Sequence, residues 1–122
     1  MSVYTPIQHV HGRLYKAVVY IAGDYRMGLE AIKTWCDAHS DCWSEEPVDY
    51  VYTGGCEAGL KATRIHYPRF PEDSAANIQD LAEKMGEYLL VALHQHSCTV
   101  VGPTRSTYIT RHPRNKDNGR EA

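Results

Sequence analysis

From about Ala75 to Gln95 the apolar residues Ile78, Leu81, Ala82, Met85, Leu89, Ala92, Leu93 and His96 recur at three- and four-residue steps. Gln79, Glu83, Lys84 and Glu87 occupy the other side. This period is that of a helix with one buried stripe, and such a stripe needs a partner layer to cover it. The partner is visible as short β-rich runs. Leu14 to Ile21, "LYKAVVYI", is bounded by Ala22-Gly23-Asp24 and reads as a strand. Val48 to Thr53, Leu60 to Tyr67 and "SCTVV" supply three more, with "STYIT" as a short fifth strand. A second helix is expected from about Tyr25 to His39, where Met27, Ala31, Ile32, Trp35, Cys36 and His39 share a face and Asp24 can cap the first turn. Gly28 and Thr34 lower its propensity.

The resulting order, β-α-β-β-α-β with an added strand, is the split βαβ arrangement. It implies an α+β fold, an antiparallel sheet of four to five strands with two helices on one face. At 122 residues the chain is long enough for one core. The expected organisation is a lead-in over 1–13, a single domain over 14–110 and a mobile tail over 111–122, where "RHPRNKDNGREA" has little to bury.

Charge excludes some functions. The formal net charge is -2, against the basic excess of a nucleic-acid binder. No apolar stretch reaches membrane-spanning length, and the first residues lack a basic start followed by an apolar run. Cys36, Cys42, Cys56 and Cys98 show no C-x-x-C spacing. The expectation is a cytoplasmic protein with reduced thiols used as small buried apolar groups.

"YVYTGGCEAGLKATRIHY", residues 50 to 67, poses the functional question. Gly54 and Gly59 have P-loop spacing, but Leu60 follows Gly59 and the next residues alternate as a strand. A P-loop lysine directly after the last glycine, and a helix opening there, are both missing. A hairpin turn accounts for the glycines without a ligand. The alternative is that the Gly54 and Gly55 amides, with Glu57, face a small polar ligand. The His9/His11 and His94/His96 pairs lack an acidic companion at any recognised spacing, so no metal or cofactor is expected. Cys56 with His66 across the hairpin is a formal nucleophile pair without a visible activating group. "YPRFP" holds Arg69 and Phe70 between two prolines, and "GPTRSTY" places Arg105 near Tyr108. An aromatic ring to stack on a base beside an arginine to grip a phosphate is a way to hold nucleotides. Arg64, Arg69 and Arg105 are the candidate cations, and Phe70, Tyr108 and Trp43 the candidate stacking rings.

"YVYTGG.E.G" followed closely by "YPRFP", between two helices in a chain of this size and order, resembles the phage Thoeris anti-defence sponges. The resemblance spans roughly residues 14 to 110. It implies a non-enzymatic homo-oligomer that captures a cyclic ADP-ribose type signal at subunit interfaces and releases it intact. Such a binder needs no stabilisation of a transition state, in keeping with the lack of an evident catalytic set. Two rival readings stand beside it: an inhibitor that binds a host defence protein through Tyr and Trp anchors, and a hydrolase of phosphodiester signals.

Overall fold

The computed structural model describes residues 5–67, 70 and 73–111. The elements are β1 (Lys16–Ala22), α1 (Tyr25–His39), β2 (Ser44–Tyr52), β3 (Gly55–Ile65), α2 (Ala75–Ala92), β4 (Ser97–Val101) and β5 (Ser106–Thr110). The sheet order is β2-β3-β1-β4-β5, and every neighbouring pair is antiparallel. This is the expected α+β fold, with the fifth strand present. Residues 5–15 form no helix or strand, and the expected tail from 112 onward lies outside the described residues.

Each helix starts where its cap stands. Asp24 accepts a hydrogen bond from the Met27 amide at 2.9 Å, and Ser74 accepts one from the Asn77 amide at 3.1 Å. Gly28, a weakness for propensity alone, is explained by packing: a side chain there would collide with Leu60. α2 stops at Ala92, three residues before the expected end. His94 turns left-handed, with φ 55°, while the amides of His94 and Gln95 bond back to Val91 and Leu90. That pair of backward bonds is a Schellman stop, with histidine in the place that glycine usually takes.

The β2–β3 hairpin is longer than the side-chain pattern suggests. Ser44 to Tyr52 pair without interruption with Thr63 to Gly55, and only Thr53 and Gly54 form the turn. Gly54 supplies the positive φ of 89°. "SEEP", which lies ahead of the strand expected from Val48, belongs to β2, and Pro47 is tolerated because β2 is an edge strand.

One face of the sheet carries the core. Ala17, Val19, Ile21, Leu60, Ala62, Cys98 and Val100 meet Ile32, Trp35, Ile78, Ala82, Met85 and Leu89 of the helices. Burial pushes the Cys98 thiol up to about 11, so it stays a protonated, apolar packing group. At one end of this core lies a charged knot. Arg64, 3% exposed on the helix side of β3, donates from Nε to Asp41 Oδ1 at 2.8 Å and from Nη1 to the Ile65 carbonyl at 2.7 Å. Its Nη2 lies 2.9 Å from Asp73 Oδ2, an ion-pair contact without hydrogen-bond alignment. Asp41 also accepts from the Cys42 amide and from the indoles of Trp35 and Trp43, at 2.9, 3.2 and 2.8 Å.

Burial opposes ionisation of Asp41, but these donors and the Arg64 charge outweigh it and hold the carboxyl below its ordinary value. A carboxyl depressed by folding stabilises above its unfolded pKa and loses that contribution as pH falls through the folded value. Asp41→Ala leaves the buried guanidinium with Asp73 as its one remaining carboxylate partner among the described residues and two indole donors without their acceptor, so it should cost about 3–5 kcal/mol in urea unfolding at neutral pH. Asp41→Asn should cost less, and its deficit against wild type should shrink below about pH 4. A neutral-pH loss within error of zero would remove the knot from the account.

Candidate functional site

The face of the sheet away from the helices has no described element over it, and it gathers unspent polar groups. Strand alternation decides which side chains appear there. In β1 the residues between the core positions are Val18 and Tyr20; in β3 they are Glu57, Gly59, Lys61 and Thr63. Cross-strand register lines up Glu46, Lys61, Tyr20, Thr99 and Tyr108 as one row over all five strands. Tyr50 stands opposite Glu57 nearer the hairpin tip.

Gly59 shapes the floor. A Cβ at this position would meet the Ile21 carbonyl, and would lie 2.7 Å both from Ala22 Cα and from Tyr50 Cε2. The Tyr50 ring therefore lies across the space that a side chain would fill. Its hydroxyl donates to the Leu60 carbonyl at 2.6 Å. Burial raises the Tyr50 phenol, the Ile21 backbone lowers it in part, and Tyr20 raises it further, so Tyr50 remains a donor at neutral pH.

The result is a shallow hollow of about 200 Å³ lined by Tyr20, Tyr50, Glu57, Ser97, Thr99 and Tyr108. Glu57 makes no ion pair among the described residues. A larger groove, about 480 Å³, lies between α1 and β2 and is lined by Leu29, Ile32, Cys36 and Trp43 among others. We favour the smaller hollow on chemistry: it combines three phenols with an unpaired carboxylate.

The residues singled out from the sequence fall in different places. Glu57 and Tyr108 meet in the hollow, joined by Tyr20, Tyr50 and Thr99, which sequence reasoning missed. The signal was there in the alternation, since Tyr20 sits between core residues Val19 and Ile21 and must face the other way. Gly54 and Gly55 form the hairpin tip beyond Glu57, with Gly55 against the Tyr52 ring. Arg64 and Phe70 are together on the helix side, the guanidinium carbon 5.3 Å from the ring centre, with Arg64 held by Asp41 and Asp73. Trp43 lines the α1–β2 groove and donates to Asp41. Arg69 lies outside the described residues. Cys56 and His66 stand ten positions apart along one extended chain, about 33 Å, so they form no pair.

Arg105 is a clasp between β5 and α2. Its Nε and Nη2 donate to both oxygens of Glu83 at 2.9 and 2.8 Å, and Thr107 and Gln79 donate to the same carboxylate at 2.6 and 2.9 Å. Gln79, 1% exposed, accepts from the amides of Thr104 and Arg105 through its Oε1. The Arg105 contact leads the causes that hold the Glu83 carboxyl at about 2.

No protein-family model matches the chain, and no curated protein matches it. Two solved structures share its fold. A phage SAM lyase in the apo state superposes with a TM-score of 0.62 over 91% of this chain and 100% of that one, at 11% identity. A phage SAM lyase in complex with S-methyl-5'-thioadenosine gives 0.58 over 87% and 96%, at 12% identity. At these identities the likeness is one of fold. It is a likeness to a phage protein, as the sequence resemblance implied, but to a lyase and not to a sponge. The expectation of a protein without catalysis is corrected on this finding, because the architecture is one that an enzyme uses.

Two outcomes follow from the geometry. Gly59→Ala should displace the Tyr50 ring and destabilise by about 1–3 kcal/mol, whereas Tyr50→Phe keeps the ring and should cost about 1 kcal/mol, both read by urea unfolding. In Arg105→Ala the Glu83 carboxyl should titrate nearer its ordinary 4.5 than the present value of about 2, as followed by carboxyl NMR shifts. The wild-type contribution of Glu83 is present above about pH 4.5 and declines as pH falls toward 2.

Proposed function

We propose that this protein is an enzyme that cleaves S-adenosylmethionine, or a sulfonium nucleoside very like it, at the open face of its sheet. The observation that carries the reading is the hollow itself: phenol rings from Tyr20, Tyr50 and Tyr108 around an unpaired Glu57, on a fold shared with a phage SAM lyase. Such a substrate has an adenine that stacks on aromatic faces and a sulfonium cation that is drawn to the same rings and to a carboxylate. The ligand implied by the sequence resemblance, of the cyclic ADP-ribose type, carries two phosphates instead. Two of the arginines proposed to grip them, Arg64 and Arg105, already hold carboxylates, which favours the cationic ligand.

The chemistry suits such a surface. A lyase breaks the bond between the sulfonium sulfur and the methionine side-chain carbon. The bonding pair goes to sulfur, which becomes a neutral thioether, and S-methyl-5'-thioadenosine leaves. The carbon fragment is balanced from within the substrate, by closure of its own carboxylate or by loss of a neighbouring proton. Positive charge on sulfur disappears on the way, so a site closed to water favours the transition state over the bound cation. Glu57 next to sulfur alone would hold the ground state more than the transition state. Its part in the proposal is to anchor the cationic end of the substrate. The hollow is shallow, and a second copy seated over the open face, as in the expected homo-oligomer, would enclose it. Consumption of a cellular methyl donor is one way for a phage protein to blunt host defence, which keeps the anti-defence role with a different ligand.

The test is direct. Purified protein given S-adenosylmethionine should release S-methyl-5'-thioadenosine, detected by mass spectrometry. Glu57→Gln should lower kcat/KM by about 10- to 100-fold through loss of a charge-assisted contact, with unfolding unchanged. Intact S-adenosylmethionine after prolonged incubation with folded protein would end the proposal.

A further inference from the structure

Along the open side of β3 the order is Glu57, Gly59, Lys61: an anion, a position without a side chain, and a cation. Four residues of strand separate the charged pair by about 13 Å of backbone. Gly59 presents no side chain between them, and the Tyr50 ring and the Ile21–Ala22 backbone close over its Cα. Lys61 stands directly across from Tyr20, in the row that continues to Thr99 and Tyr108. It therefore neighbours Tyr20, a wall of the hollow, and stands two positions beyond Gly59 from Glu57.

Its present partner is a weak one. The Lys61 ammonium lies 3.8 Å from Glu46, with the two side chains 35% and 63% exposed. Exposed pairs of this kind contribute little and exchange readily for a better anion. Of the cations on the open side of the strands, Lys16 and Lys61 are the described ones, and Lys16 is four residues down β1 from Tyr20. The face thus carries the Glu57 carboxylate toward the hairpin tip and the Lys61 ammonium beside Tyr20, with Glu46 next to Lys61.

We infer that Lys61 binds the free α-carboxylate of the amino-acid half of the ligand, and so makes the site prefer a complete S-adenosyl amino acid to the shortened thioadenosine. This rests on the open-face reading above and deepens it. The α-ammonium and α-carboxylate of such a ligand share one carbon, and the long side chains of Glu57 and Lys61, rooted about 13 Å apart along β3, can lean toward that one tail from either side. S-methyl-5'-thioadenosine lacks the carboxylate, so it gains nothing from Lys61. A cleaved ligand is then held less tightly than an intact one, which favours release of product.

Calorimetry with two uncleaved probes separates the claims. S-adenosylhomocysteine keeps the α-carboxylate and S-methyl-5'-thioadenosine does not. The wild-type protein should bind the first more tightly than the second. Lys61→Met and Lys61→Gln should each weaken S-adenosylhomocysteine by about tenfold and leave S-methyl-5'-thioadenosine unchanged, since one charge-assisted contact is lost. Glu46→Gln, which frees Lys61, should leave S-adenosylhomocysteine binding as tight or tighter. Unchanged binding of both probes in the Lys61 variants, or equal loss of both, would overturn the inference while the site reading stands. Wild-type protein that binds neither probe would overturn the site reading, and this inference with it.

Discussion

The contact between Asp41 and Arg64 is the point on which three separate parts of the chain agree. Asp41 follows the end of α1, its donors Trp35 and Trp43 belong to α1 and the approach to β2, and Arg64 lies near the end of β3. Asp73 joins from just before α2. One buried guanidinium therefore ties the end of the first helix, the start of the edge hairpin and the entry to the second helix. Such a knot is costly to desolvate and need not add net stability over an apolar substitute. What it does in this structure is gather these segments around one charge.

That placement sets the open face. With Arg64 directed to the helices, the alternation of β3 sends Lys61 and Thr63 to the other side. The uninterrupted pairing of β2 with β3 then brings Tyr50 opposite Glu57. A slip of one residue would exchange the core and the face. Arg64 is neutralised inside by Asp41 and Asp73, while Glu57 on the open face has no ion pair among the described residues.

Most of the architecture was legible in the sequence because it depends on local signals. The α2 stripe, the Asp24 cap and the β-rich runs each declare themselves within a few residues. The hairpin length was not legible, since backbone pairing asks little of "SEEP" or "CEAG" side chains. Nor was the fate of Arg64, whose partner is 23 positions away and whose inward direction suits a pocket and a buried ion pair equally. The helix stop at His94 was hidden because histidine seldom takes the left-handed place. Of the residues that line the hollow, Glu57 and Tyr108 were singled out from the sequence, and Tyr20 and Tyr50 were not. The expectation of a non-enzyme rested on the lack of a local catalytic motif, yet residues from five strands can assemble a site that no short stretch displays.

The central claim is that the ligand seats on the open face over Tyr20, Tyr50, Glu57 and Tyr108. It is tested most directly by titrating isotope-labelled protein with S-methyl-5'-thioadenosine and mapping the NMR shifts. The account predicts changes concentrated at Tyr20, Glu57, Thr99 and Tyr108, with Trp43 and Cys36 unmoved. Shifts confined to the groove between α1 and β2 would place the ligand on the other side of the sheet and contradict it.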